Sequence, residues 1–179
     1  MELAEKQNQK PFFLSVGFLR PHTPLIVPQK YFDMYPLDSI KLVNILPRDK
    51  DDTFLHMVDQ FETKKRRTRS VEMFKNLMAS YENPLEGLKR FTQAYLACVS
   101  AVDDNVGKVI SAINNSSLKD NTIIILTSDH GWTMGQKDHI YKNSLWEEST
   151  RVPLIIPVSY THLRAHETSL HLVCRLLLE

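Results

Sequence analysis

The stretch TIIILTSDHGWTMGQKDHIYK, Thr122–Lys142, decides how the fold is read. Ile123 to Leu126 are consecutive aliphatic residues, which matches neither the alternation of a half-exposed strand nor the three-and-four spacing of a helix. TIIILTSD (Thr122–Asp129) therefore predicts a strand covered on both faces, as in a parallel sheet. In such sheets functional groups collect in the crevice beyond the carboxyl ends of the strands, and Asp129 stands there. A carboxylate at that place suits a hard cation, which takes anionic oxygen ligands. His130 beside it can coordinate a metal or hydrogen-bond an anion. Gly131 and Gly135 allow the backbone to turn closely around a ligand. Lys142 can return to the same pocket as a fixed positive charge. The bland alternative for Asp129 is an Asx turn after a strand; the company of His, two Gly and Lys in one loop weighs against it. His139 reads equally as a loop-packing residue and as a functional one.

Working outward, PFFLSVGF (Pro11–Phe18) is a continuous apolar run that predicts a buried strand, and LRPHTPLIVP after it predicts a proline-stiffened loop. From Pro84 to Asn115 the positions Leu88, Phe91, Tyr95, Cys98, Val102, Val106, Val109 and Ile113 recur at steps of three and four, the stripe of a long amphipathic helix. Val71, Phe74, Leu77, Met78 and Tyr81 share helical spacing and read as core. VPLII (Val152–Ile156) predicts a further short strand, with Pro153 confined to its start or to an edge. The alternation of strand, helix, strand, loop and strand is that of an α/β fold with a mainly parallel sheet flanked by helices. Residues 31–83 are less regular and include KKRRTR (Lys64–Arg69), read as a solvated face or, more sharply, as an anion-facing patch.

The 179 residues are 42% apolar and 24% charged, an ordinary globular composition. Lys and Arg total 22 against 21 Asp and Glu, so no nucleic-acid partner is expected. No apolar run is long enough to span a membrane. MELAEKQNQK at the start has no apolar stretch, and no signal peptide is expected in it. Cys98 and Cys174 make neither a disulfide framework nor a metal knuckle. From Val158 the text changes: VSYTHLRAHET (Val158–Thr168) resembles a translated sequencing adapter. The alternative is a genuine C-terminal helix offering His162 and His166, at i and i+4, to zinc. We therefore expect one partial catalytic domain over 1–157 and a non-native tail over 158–179.

TSDHGWTMGQKDHIYK followed by LWEESTRVPLII resembles the C-terminal part of the catalytic domain of type I sulfatases, nearest the iduronate-2-sulfatase-like and choline-sulfatase-like branch. PFFLSVGFLRPHTPLIVP is similar to that branch's strand and Pro-His-x-Pro loop, and AYLACVSAVDDNVGKVISAI to its long helix. The likeness runs over 11–157, with the middle matching least. It implies an alkaline-phosphatase-like α/β fold, here incomplete, and hydrolysis of a sulfate ester, a sulfated glycan being one such substrate. Asp129 matches the family's calcium-ligating aspartate and His130 the adjacent calcium-site residue, although nitrogen is an unusual ligand for Ca2+. Lys142 and His22 match the catalytic lysine and histidine that contact the sulfate group, and His139 lies on the same substrate-binding side. The resemblance also implies a periplasmic, extracellular or lysosomal setting.

One family feature is missing from the sequence. The sulfatase nucleophile is a formylglycine made from Cys or Ser in a Cys/Ser-x-Pro-x-Arg motif, and no proline here is preceded in that way. The family's paired aspartates behind the first strand are also absent, since Asp51-Asp52 and Asp103-Asp104 lie elsewhere. We thus expect a sulfatase fragment that is inactive as written. Two alternatives remain: a phosphoester or phosphonate hydrolase of the same superfamily, or a non-catalytic module that binds anionic glycans through Lys64–Arg69.

Overall fold

The computed structural model describes residues 11–52 and 69–157. The KKRRTR run, apart from the backbone of Arg69, and the tail from Val158 lie outside them. The elements in order are α1 (Gln29–Phe32), 3-10 turns at Leu37–Ser39 and Asp49–Asp52, α2 (Arg69–Ala79), α3 (Pro84–Asn114), β1 (Leu126–Thr127), β2 (Thr133–Met134), a 3-10 turn at Gln136–Asp138, β3 (Ile140–Tyr141), α4 (Glu147–Thr150) and β4 (Leu154–Ile155). They group into two compact units: Met1–Met34, Tyr95–Thr127 and Pro153–Glu179 in the first, Tyr35–Ala94 and Ser128–Val152 in the second.

The long helix forms where its stripe predicts. Asn83 starts it, its side-chain oxygen accepting from the Leu85 N–H at 3.1 Å, and Pro84 fills the first helical position, where no N–H is needed. Every stripe residue from Leu88 to Ile113 is buried or half-buried, while Arg90, Asp103, Asp104 and Lys108 stay exposed. At the far end Ser116 closes the turn by donating from its N–H and its hydroxyl to the Ile113 carbonyl.

In the first unit Ala97, Cys98 and Ala101 of α3 are buried, as is Tyr31, whose hydroxyl donates to Asp104 at 2.7 Å. β1 pairs with β4, Leu126 opposite Ile155 and Thr127 opposite Leu154, and the pairing is antiparallel. This corrects the expected parallel sheet: both ladders among the described residues are antiparallel pairs. A parallel sheet needs several strands joined by crossovers, and Pro11–Phe18 pairs with none of the described strands. An apolar run becomes a strand only when neighbouring backbone groups are present to bond it, so this one is irregular and exposed. The same reasoning corrects Thr122–Asp129. Only Leu126–Thr127 is in a ladder, and Ile123 and Ile125 are 81% and 59% exposed, so one face is covered instead of two.

The second unit has a core of Phe74 from α2, Leu88 from α3 and Ile140 from β3, with Ile45, Leu77 and Phe91 packed around them. β2 and β3 form a hairpin with Thr133 opposite Tyr141. Trp132, Tyr141 and Phe91 stack edge-on and face-on, their ring centroids 5.1 to 6.5 Å apart.

Candidate functional site

The loop that leaves β1 carries its side chains in a fixed order. Gly131 is docked tightly: its N–H donates to the Ser149 carbonyl at 2.7 Å, and the Trp132 N–H donates to Glu148 at 2.6 Å. A Cβ on Gly131 would stand 2.1 Å from the Glu148 carbonyl oxygen, so only glycine allows this approach. Asp129 and His130 are thus held just ahead of an anchored backbone. The Ser128 hydroxyl donates to the His130 carbonyl at 3.0 Å, and the His130 N–H to Asp129 Oδ1 at 3.0 Å. These local bonds occupy Oδ1 and leave Oδ2 on the side of the imidazole.

The His130 ring is oriented by chemistry. Nδ1 lies 2.8 Å from the Gly131 carbonyl, which can only accept, so Nδ1 carries the hydrogen. Nε2 then lies 3.5 Å from Asp129 Oδ2. That is the spacing of adjacent ligands around a hard cation with bonds of about 2.4 Å. The pair fits one edge of a calcium shell, which needs six to eight oxygens, and no group of three or more His, Cys, Asp or Glu suited to a metal occurs among the described residues. Partial burial works to raise the Asp129 carboxyl, but His130, two backbone N–H groups and the charge of Lys142 outweigh it, holding the group below its usual range.

His139 is placed differently. It is 4% exposed, its Nδ1 is 2.8 Å from the Thr133 hydroxyl, and its ring meets Trp146 edge-on at 5.3 Å. Thr133 donates its own hydrogen to the Tyr141 carbonyl at 2.5 Å and so accepts from His139. Burial pushes the imidazole below its ordinary value, against a weaker upward pull from the Asn143 backbone. Of its two readings, loop packing is the one this environment supports.

His22 belongs to the first unit and is exposed. Arg20 shapes its loop by donating to the carbonyls of His22 and Ile26. The ring Nδ1 is 2.7 Å from the Thr23 carbonyl, so His22, like His130, keeps Nε2 free of this local bond. Asp104 accepts from Tyr31 and Lys30, a structural role that agrees with its exclusion as one of the paired aspartates. Asp49 was not anticipated. Its carboxylate accepts from Lys137 at 2.9 Å across a separation of 88 positions, and nothing in either local sequence signals the pair.

A model of the sulfatase family matches residues 1–171. The chain is 42% identical over 156 residues to a sulfatase of Formosa agariphila, covering 86% of this chain and 28% of that protein. To the iduronate 2-sulfatase of Mus musculus it is 36% identical over 154 residues, again covering 86% of this chain and 27% of the relative. Among solved structures, a phosphonate monoester hydrolase from Silicibacter pomeroyi superposes with a TM-score of 0.59 at 26% identity, over 77% of this chain and 27% of that one. The chain thus spans less than a third of the length of the relatives it matches.

Proposed function

This chain belongs to the sulfatase family, and from that premise we propose that it forms part of a sulfuric ester hydrolase, supplying one side of a calcium and sulfate site from residues 1–157. Asp129 and His130 hold one edge of the Ca2+ shell. Lys142 contacts the sulfate oxygens, and His22, assigned through its Pro-His-x-Pro loop, contacts the sulfate or the leaving oxygen. His139 supports the substrate side by packing its loop. Calcium, when bound, would supply positive charge against the sulfate group. Lys142 offsets the charge that sulfuryl transfer spreads over the transferring group, and its position is set before reaction. His22 is suited to contact the sulfate or the leaving oxygen through Nε2. The formylglycine nucleophile would come from sequence outside these residues, and the setting would be periplasmic, extracellular or lysosomal. The substrate class is a sulfate ester, sulfated glycans included.

The observation that carries this reading is the 3.5 Å approach of His130 Nε2 to Asp129 Oδ2, with Nδ1 already committed to a carbonyl. Two experiments test it. Calorimetric titration with calcium chloride of a protein completed with its upstream nucleophile region should give a binding isotherm that Asp129→Ala abolishes; equal heats from both proteins would remove Asp129 from the site. Resequencing the source DNA upstream of Met1 and across the junction near Val158 should reveal a Cys/Ser-x-Pro-x-Arg motif and a sheet-like continuation. A genuine junction with no upstream nucleophile would end the enzymatic reading. A second reading, a phosphonate or phosphoester hydrolase, is favoured by the Silicibacter pomeroyi neighbour. A bare Thr or Ser nucleophile upstream would decide for it.

A further inference from the structure

The turn that delivers Lys142 is left-handed to an unusual degree. Between β2 and Lys142 the chain passes through Gly135 at φ 115°, Lys137 at 57°, Asp138 at 54° and Tyr141 at 75°. Three of these carry a Cβ, and such residues rarely enter that region unless the surroundings hold them there. Part of the hold is apolar: Gly135 lies against Ile45, Leu88 and Phe74, and Ile140 is 1% exposed. The rest comes from the 3-10 turn at Asp49–Asp52. The Asp49 carboxylate takes the Lys137 backbone N–H on one oxygen at 3.2 Å and the Lys137 ammonium on the other at 2.9 Å. That ammonium also donates to the Asp49 carbonyl at 2.7 Å. The next pair repeats the link, with Lys50 donating to Asp138 at 2.5 Å. The Asp49–Lys137 pair is sheltered, with side chains 16% and 19% exposed, so water competes weakly for it. Consecutive residues of one turn therefore grip consecutive residues of the other, at two of the three left-handed positions that carry a Cβ.

We propose that Asp49 and Lys50 are positioning residues: they lock the 135–141 turn in its left-handed form and so set the direction in which Lys142 leaves it. The proposal rests on the reading of Asp129, His130 and Lys142 as a cation and anion site. The Lys137 side chain holds the Asp49 carboxyl below its usual range, against the effect of burial.

The test uses this chain, with sodium sulfate as the probe, and backbone NMR couplings at Lys137, Asp138 and Tyr141 as the report on the turn. Asp49→Asn keeps the oxygen that accepts the backbone N–H and removes the charge. It should shift Tyr141 out of the left-handed region and weaken sulfate binding about tenfold, as Lys142→Ala does. The double variant should bind no more weakly than either single one, a non-additivity that general destabilisation would not produce. Asp49→Glu, which restores the charge, should recover most of the affinity. If Asp49→Asn fails to fold, Lys50→Met on the more exposed pair serves instead, with an expected loss of about threefold. Sulfate binding that survives unchanged, or full additivity with Lys142→Ala, overturns the positioning role alone. A wild-type chain that binds no sulfate overturns the site reading beneath it.

Discussion

His22 and His130 are oriented by the same device, an Nδ1–H given to a carbonyl one residue further on. The device uses one hydrogen bond and leaves Nε2 outside it. His139 has the opposite fate, buried between Thr133 and Trp146. Its burial lowers its pKa from the ordinary 6.5, so the unfolded chain takes up a proton that the folded one refuses. Stability from the neutral ring is complete above 6.5 and falls as pH drops through the lowered value. Urea unfolding of the chain should therefore show a lower midpoint at about pH 5 than at about pH 7, a slope that His139→Gln reduces. Gly131 is the other decisive residue. Its missing Cβ leaves room for the Glu148 carbonyl, so Gly131→Ala should cost about 3 kcal/mol in thermal or urea unfolding through forced backbone movement. An alanine variant as stable as the parent would show that the loop docks elsewhere.

α3 shows how a single element can be read in advance. Its stripe, its Asn83 start and its end near Ile113 all rest on local spacing and capping, which need no knowledge of the rest of the chain. Leu88, fully buried against Phe74 and Ile140, is where this element meets the second unit's core. Leu88→Ala should cost about 2–5 kcal/mol, measured by chemical unfolding, because little around it can collapse into the gap. The paired 3-10 turns are the reverse case, since Asp49 and Lys137 find each other only through the fold. Their pair has its own pH window. Asp49 is held below 3.8, so its contribution is intact from neutrality down to that value and is lost as pH falls further and the carboxyl protonates. Tryptophan fluorescence from Trp132 and Trp146, which flank this turn, should stay constant above that value and change below it.

At the scale of the molecule, the described residues leave Phe13, Ile123 and Leu145 at 95%, 81% and 94% exposure, and β1 and β4 form a pair with open edges. Apolar side chains next to unpaired strand edges favour association. Sedimentation of the chain should show self-association that grows with concentration, and Phe13→Lys with Ile123→Lys should reduce it. No helix among the described residues is long and apolar enough to cross a membrane. Taken alone, the sequence determined the long helix, the core positions Phe74 and Leu88, and the family, because periodicity and short motifs are local and survive in any part of a chain. Strand pairing was not legible, because a ladder depends on which backbone groups lie alongside, and Pro11–Phe18 has no such neighbour among the described residues. Nor were the buried place of His139, the tautomer of His130 or the grip of Asp49 on Lys137. Each of these is set by atoms from distant positions meeting in space, and only the tertiary structure brings them together.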